Sequence, residues 1–231
     1  MRIQKYISLT GMISRREGIR LIEGGRITID GSIACDCSFV GEDCVVLLDG
    51  EPLPYKQRNV YLLLHKPVGI TCTAQKKVIG NIIDFLNYPE RVFPVGRLDK
   101  QSEGLILMTN DGDIVNKIMK SEYENEKEYL VTVDRPFTDD FLTHMASGVD
   151  ILGQRTKPCR VKRVADDTFT IVLTQGLNRQ IRRMTKVFGY RVERLIRTRI
   201  LDFKIADLLS GQWRELTNAE VNRLKAQLNS E

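Results

Sequence analysis

The sequence predicts an α+β protein in two parts, a small N-terminal unit and a larger mixed, mainly antiparallel sheet flanked by helices. Three observations lead there. Strand-like and helix-like segments follow one another irregularly, without the regular alternation of a doubly wound parallel sheet. The polar, proline-bearing stretch "GEPLPYKQRN" separates residues 1–50 from residues 61–231 and reads as a linker over residues 51–60. A chain of 231 residues is long enough for a small domain plus a medium one.

In the first part, Ile3 to Leu9 suits a short helix ended by Gly11. "SRRE" then sets Ser14 as N-cap and Glu17 three residues later, a capping box. Ile19, Leu21 and Ile22 supply a buried stripe, and Gly24 and Gly25 stop the helix. "RITIDGSIA" alternates around Asp30-Gly31, a two-residue hairpin signal, and "CVVLLDG" adds a strand.

In the second part, "VYLLLHKPVGIT" is an apolar strand that enters a Pro-Gly loop, and "NIIDFL" is a short helix. "GLILMTND" is a strand, "GDIVNKIMK" a helix, "KEYLVTV" a strand and "TDDFLTHMASGV" a capped helix. "PCRVKRV" and "TFTIVLTQG" pair as strands, "NRQIRRMTKVFG" is a basic amphipathic helix closing at Gly189, and "YRVERLIRTRI" is extended. The chain closes on a helix, "TNAEVNRLKAQL", with Thr217 as N-cap and Glu220 at the third position. Repeats and low-complexity tails are absent.

Composition is that of a globular protein, 42% apolar and 28% charged. No apolar run is long enough for a membrane span, and "MRIQKYISLTGM" lacks a signal-peptide core, so no membrane contact is expected. Five cysteines, Cys35, Cys37, Cys44, Cys72 and Cys159, include no CxxC pair; reduced thiols in the cytoplasm are expected, and a zinc site is not. The net charge of +5 is unevenly spread: thirteen Lys and Arg between Gly153 and Arg199 face only Asp166, Asp167 and Glu193. Basic residues interleaved with apolar ones suit a polyanion-binding wall, and nucleic acid is the partner this favours. Lys5, Arg15, Arg16, Arg20 and Arg26 add a basic face to the first unit. Cations at a helix N-terminus oppose the helix dipole, whereas phosphate there is favoured by the free N–H groups.

The chemical question lies in "RVFPVGRLDKQSEGLILMTNDGD", where Asp99 stands with no histidine, cysteine pair or second carboxylate close in sequence. Glycosidases of either stereochemical outcome normally pair two carboxylates. A lone aspartate in "RLD" is otherwise a surface ion-pair partner.

Two resemblances sharpen this. Lys5, "SRRE", "LIEGGRITIDG" and "EDCVVLLDG" in this order resemble the S4-type RNA-binding domain. From about residue 61 to 220, "LLHKPVGITCT", "FPVGRLDKQSEGLILMTNDGD", "EKEYLVTV", "QGLNRQIRRM", "VERLIRTRI" and "GQWRELTNAE" resemble the RsuA-type pseudouridine synthases. The resemblance implies a domain order of S4-like unit (1–50), linker (51–60) and pseudouridine synthase catalytic domain (61–231). It implies isomerisation of a uridine: the N-glycosidic bond breaks, the base turns over, and carbon rejoins the sugar. Nothing is lost and no electron moves, so no cofactor and no metal are expected.

By the same resemblance Asp99 is the catalytic carboxylate, acting as nucleophile at ribose or uracil or as a base on the sugar. Arg182 is its guanidinium partner, since a nearby cation favours the ionised carboxylate and a planar fork fixes its orientation. Arg179 and Arg183 lie on other helix faces and meet phosphate. Tyr129 stacks on the detached uracil and assists proton transfer, and Leu195 packs its other side. The target base must leave its helix; Arg97 fills the space it vacates, and Lys66 touches RNA backbone or braces the cleft. Where the family usually has Asn before that lysine, this chain has His65. His144 is read as a helix-surface residue.

Within the family, "KEYLVTVD", "GRLDKQSEGLI", "DIVNKIM", "ILGQRTKPCRVK" and "QGLNRQIRRM" look most like members acting on the large ribosomal subunit. That implies a uridine in a stem-loop of 23S rRNA near the peptidyl-transferase region, with the anticodon uridine of tyrosine tRNA as a second substrate. Such members often carry a long basic C-terminal tail; with Glu231 last here, the S4-like unit is expected to anchor the RNA, and a monomer is expected. The alternative is a non-catalytic RNA-binding or ribosome-assembly protein on the same fold, which predicts degeneration at Asp99, Tyr129 or Arg182; all three are intact.

Overall fold

The structure is a computed structural model and describes residues 1–53, 58–75, 77–119, 125–206 and 208–229. The chain divides into two compact units, Met1–Val60 with Tyr88–Val92, and Tyr61–Asn87 with Phe93–Glu231.

In the first unit, α1 (Ile3–Leu9) and α2 (Arg15–Glu23) precede β1 (Ile27–Ile29), β2 (Ser32–Ile33), β3 (Val46–Leu48) and β4 (Glu51–Pro52). The strands form one antiparallel sheet in the order β2-β1-β3-β4. Ser14 caps α2 by accepting from the Glu17 amide at 3.1 Å, but the Glu17 carboxylate accepts from Arg20 at 3.2 Å, so half of the expected capping box is made. Asp30 and Gly31 both take positive φ (49° and 80°), as a type I′ hairpin between β1 and β2 requires. Leu21 and Ile22 of α2 join Ile3, Ile7, Ile27 and Val46 in the core, with Ile19 only half-buried. Pairing of β4 with β3 and burial of Leu53 make the start of the expected linker part of this unit. Residues 54–57 lie outside the described ones.

The second unit is built on nine strands: β5 (Tyr61–Lys66), β6 (Phe93–Pro94), β7 (Glu103–Thr109), β8 (Lys127–Val133), β11 (Arg160–Arg163), β12 (Thr168–Leu173), β13 (Val192–Ile200), β14 (Phe203–Lys204) and β15 (Trp213–Glu215). Their order is β11-β12-β8-β13-β7-β5-β15, with β14 beside β13 and β6 beside β7. Among the described residues of this sheet only β13 and β7 pair in parallel, and the other pairs are antiparallel. A separate small hairpin joins β9 (Asp150–Ile151) to β10 (Gln154–Arg155). The helices are α3 (Ile82–Leu86), α4 (Gly112–Met119), α5 (Asp139–Ser147), α6 (Gln180–Val187) and α7 (Asn218–Asn229).

Two cores cover this sheet. β8, β12 and β13 pack Val131, Phe169, Ile171 and Leu195 against Phe141 and Met145 of α5 and Ile181 and Met184 of α6. β5 and β7 pack Leu63, Leu105 and Leu107 against Ile114 and Ile118 of α4 and Leu224 and Leu228 of α7. The parallel seam depends on a glycine: Gly104 has φ 115°, and a Cβ there would lie 2.4 Å from the Arg197 backbone. Strands of two or three residues (β6, β9, β10, β14 and β15) escape the sequence reading because so short a segment shows no alternation. β15 is exposed throughout.

At α7 the capping box is complete: the Glu220 amide donates to Thr217 Oγ1 (3.3 Å) and the Thr217 amide donates back to Glu220 Oε2 (2.8 Å). Hydrogen bonds from Arg214, more than those from Thr217, pull the Glu220 carboxyl from 4.5 down to about 2. A carboxyl depressed in the folded state stabilises above its unfolded value and ceases to do so as pH falls through its folded value. Glu220→Gln is therefore expected to lower stability by up to about 1 kcal/mol at neutral pH. In urea melts, that deficit should vanish between pH 4.5 and about 2.

Candidate active site

Asp99 opens a tight turn that runs straight into β7. The Ser102 amide donates to the Asp99 carbonyl at 3.0 Å, the Gly69 amide to the Lys100 carbonyl at 2.8 Å, and Arg182 Nη2 to the Gln101 carbonyl at 3.0 Å. One residue earlier, the Leu98 amide donates to Cys72 Sγ at 3.4 Å. The Asp99 side chain is 31% exposed, within reach of solvent and of a ligand.

Two arginines of the α6 region meet this turn differently. Arg179 Nη1 lies 3.6 Å from Asp99 Oδ2, and its Nη2 donates to Gln101 Oε1 at 3.3 Å. Arg182, the residue expected to pair with Asp99, feels that charge but places its hydrogen bonds elsewhere. Besides Gln101, its guanidinium donates to the Val192 carbonyl (3.0 Å) and Ser102 Oγ (3.4 Å), so it ties α6 and β13 to the turn. The physical reason is reach and burial: two carbonyls and a hydroxyl surround the half-buried fork, and the exposed Arg179 sits nearer the carboxylate. Desolvation lowers the Arg182 pKa, the adjacent Arg179 charge lowers it further, and Asp99 opposes both. Arg182 Nε is buried without a partner among the described residues. Arg179, at the start of α6, adopts a left-handed conformation (φ 51°, ψ 37°) that a non-glycine residue takes only at a cost of about 1–2 kcal/mol.

Asp99, Arg97, Ser102, Arg179 and Arg182 line a cleft of about 110 Å³ together with Tyr129 and Leu195. Tyr129 on β8 and Leu195 on β13 come from adjacent strands, with Leu195 opposite Val131 and Arg197 opposite Tyr129. The cleft thus brings together a partly exposed carboxylate, three guanidinium groups, a phenol ring and an aliphatic wall. It can hold a planar, partly apolar ring beside a charged group.

Lys66 does not reach the surface. It is 0% exposed, and its Nζ donates to the Pro67 carbonyl (2.7 Å) and the Ile70 carbonyl (2.9 Å). In this conformation its ammonium is engaged with the Pro-Gly loop rather than offered at the surface. Burial lowers the Lys66 pKa, while Cys72 and Glu103 oppose the shift. Arg183 is likewise engaged, donating to the Asn178 carbonyl (3.0 Å) and Asn178 Oδ1 (3.2 Å). His65 Nδ1 lies 2.8 Å from the Leu208 carbonyl, and His144 is exposed on α5 beside the Asp140 carbonyl. In the first unit, Arg15, Arg16 and Arg20 are exposed on α2, Lys5 is half-buried on α1, and Arg26 pairs with Asp49.

Sequence reasoning missed three contributors. Ser102 is 1% exposed and closes the Asp99 turn; its signal was the three-residue spacing from Asp99. Arg197 is 2% exposed and donates from Nε to the Leu105 carbonyl at 2.6 Å, a burial no charge pattern announces. Beside the cleft lies a groove of about 880 Å³ lined by Gln101, Arg179, Arg182, Lys186, Tyr190 and Arg191, with Glu193 its one carboxylate. Among the described residues, no three His, Cys, Asp or Glu side chains are placed to hold a metal ion, and no helix is long and apolar enough to cross a membrane.

Comparison with known proteins finds relatives over nearly the whole chain. The RNA pseudouridylate synthase family matches residues 60–186, and the S4 domain matches residues 1–39. The chain is 48% identical to the dual-specificity RNA pseudouridine synthase RluF of Salmonella typhi, covering 95% of this chain and 77% of that one. It is 35% identical to the ribosomal large subunit pseudouridine synthase B of Bacillus subtilis, covering 97% and 96%. A crystal structure of a pseudouridylate synthase superposes with a TM-score of 0.72 at 27% identity, covering 97% of this chain and 99% of that one.

Lys66→Met tests the bracing role. With two carbonyls left without their donor, unfolding free energy should drop by about 1–3 kcal/mol. The dependence of RNA affinity on salt should stay unchanged, whereas a slope smaller by about one unit would return Lys66 to a phosphate.

Proposed function

The chain belongs to the RNA pseudouridylate synthase family, and on that premise we propose that Asp99 is the group through which it isomerises uridine to pseudouridine. The observation that carries this reading is the Asp99 turn, held from three sides, with its carboxylate in one cleft with Tyr129 and Leu195. The carboxylate acts at ribose or uracil as nucleophile, or on the sugar as base. The N-glycosidic bond breaks, the uracil turns between Tyr129 and Leu195, and C5 joins the sugar as the C5 proton leaves and N1 takes up a proton.

Arg179 orients the carboxylate through an ion pair at 3.6 Å. Arg182 fixes the turn on which that carboxylate stands. Arg97, exposed at the cleft, enters the space left by the flipped base.

The substrate is a uridine in a stem-loop of 23S rRNA, with the anticodon uridine of tyrosine tRNA as the second RNA. The 48% identical relatives are named dual-specificity enzymes, and the Bacillus relative is named for the large ribosomal subunit. Lys5, Arg15, Arg16 and Arg20 of the S4 domain hold RNA, and Lys186 and Arg191 guide its backbone along the groove beside the cleft. The protein works as a cytoplasmic monomer.

Release of tritium from RNA labelled at uridine C5 tests the assignment. Asp99→Asn should bind RNA as the wild type does and lose more than about 10³-fold in rate; undiminished release would remove Asp99 from the chemistry. Combining Lys186→Ala with Arg191→Ala should raise KM without changing kcat, and should flatten the salt dependence of binding by about 1 to 2 units in the log–log slope.

A further inference from the structure

The first unit carries a pair of thiols that the uridine chemistry does not use. Cys35 and Cys37 are both exposed, on the tight turn that the Ser38 amide closes by donating to the Cys35 carbonyl at 2.9 Å. Their sulfurs lie 2.7 Å apart, against about 2.05 Å for a disulfide bond. Ser38 holds the arrangement: its Oγ accepts from the Cys35 amide at 2.9 Å and sits 3.3 Å from Cys35 Sγ. The turn is anchored in turn to α1, because the Ile3 amide donates to the Ser38 carbonyl at 3.0 Å and Gln4 bonds Asp36.

We propose that Cys35 and Cys37 form a thiol–disulfide exchange site for low-molecular-weight disulfides such as oxidised glutathione. The Cys35 thiolate attacks one sulfur of the small disulfide and expels one thiolate, leaving a mixed disulfide. Cys37 then gives up its proton to solvent and attacks Cys35 Sγ, expelling the second thiol. The protein loses two electrons and two protons, and the small disulfide takes up both pairs to become two thiols.

Hydrogen bonds from Cys37 and Ser38 bring the Cys35 pKa from 9.0 to about 7, so a thiolate is at hand near neutral pH, while Cys37 shifts upward as its donor. Burial pushes Cys159 up to about 11 and also raises Cys72. The pair is thereby distinguished from both. A ring closed over so few residues gains little from loop entropy, and an exposed disulfide is readily reduced, so the bond opens again in a thiol-rich cytoplasm.

The test is intact-mass and peptide analysis of the reduced full chain treated with oxidised glutathione at neutral pH. The wild type should become lighter by about 2 Da, two hydrogens, retain no glutathione, and show the link within the peptide containing both residues. Cys37→Ser should retain one glutathione on Cys35, and Cys35→Ser should react at least about tenfold more slowly. A wild type that keeps its glutathione, stays reduced, or links Cys44 instead would overturn the proposal.

Discussion

Three successive carbonyl groups, on Asp99, Lys100 and Gln101, accept hydrogen bonds from three different parts of the chain: Ser102, Gly69 and Arg182. Each bond contributes about 1 kcal/mol net, but together they leave the turn one conformation. The remoter supports follow from this constraint. Lys66 is buried because it fixes the loop that presents Gly69, and Cys72 is buried because it accepts from Leu98. Gly104 lacks a side chain because β7 must lie against β13 immediately after the turn. A carboxylate that works alone has no partner to correct its position, so position has to be built into the backbone.

The two arginines divide what one was expected to do. A single guanidinium cannot fill its donors with backbone carbonyls and also offer a fork to a carboxylate. Arg182 takes the carbonyls and Arg179 the charge, and the left-handed backbone at Arg179 is the local cost of swinging that side chain to the turn. Arg179 is 40% exposed, so its hold on Asp99 is screened by water.

Most elements could be read from the chain because local chemistry agrees with the fold. Asp30-Gly31 turns where both residues must take positive φ, and Thr217 with Glu220 caps α7 as its spacing announces. The basic helix and the lone aspartate were also visible, one as a charge pattern and the other as part of a long motif. What stayed hidden was set by tertiary packing. Nothing in "HKPVG" tells a buried lysine from one that meets phosphate, and "NRQIRR" does not say which arginine faces a turn six strands earlier in the chain. Strands such as β14 and β15 exist because a neighbour offers them a ladder, not because of their own pattern.

If the Arg182 clamp holds the aspartate turn, the Ser102 amide should report it. Native-state hydrogen exchange at Ser102 in Arg182→Lys should speed up at least about tenfold, because one flexible ammonium cannot span the Gln101 and Val192 carbonyls, while Arg179→Ala leaves that amide as protected as in the wild type. Equal protection in Arg182→Lys, or loss confined to Arg179→Ala, would contradict the account.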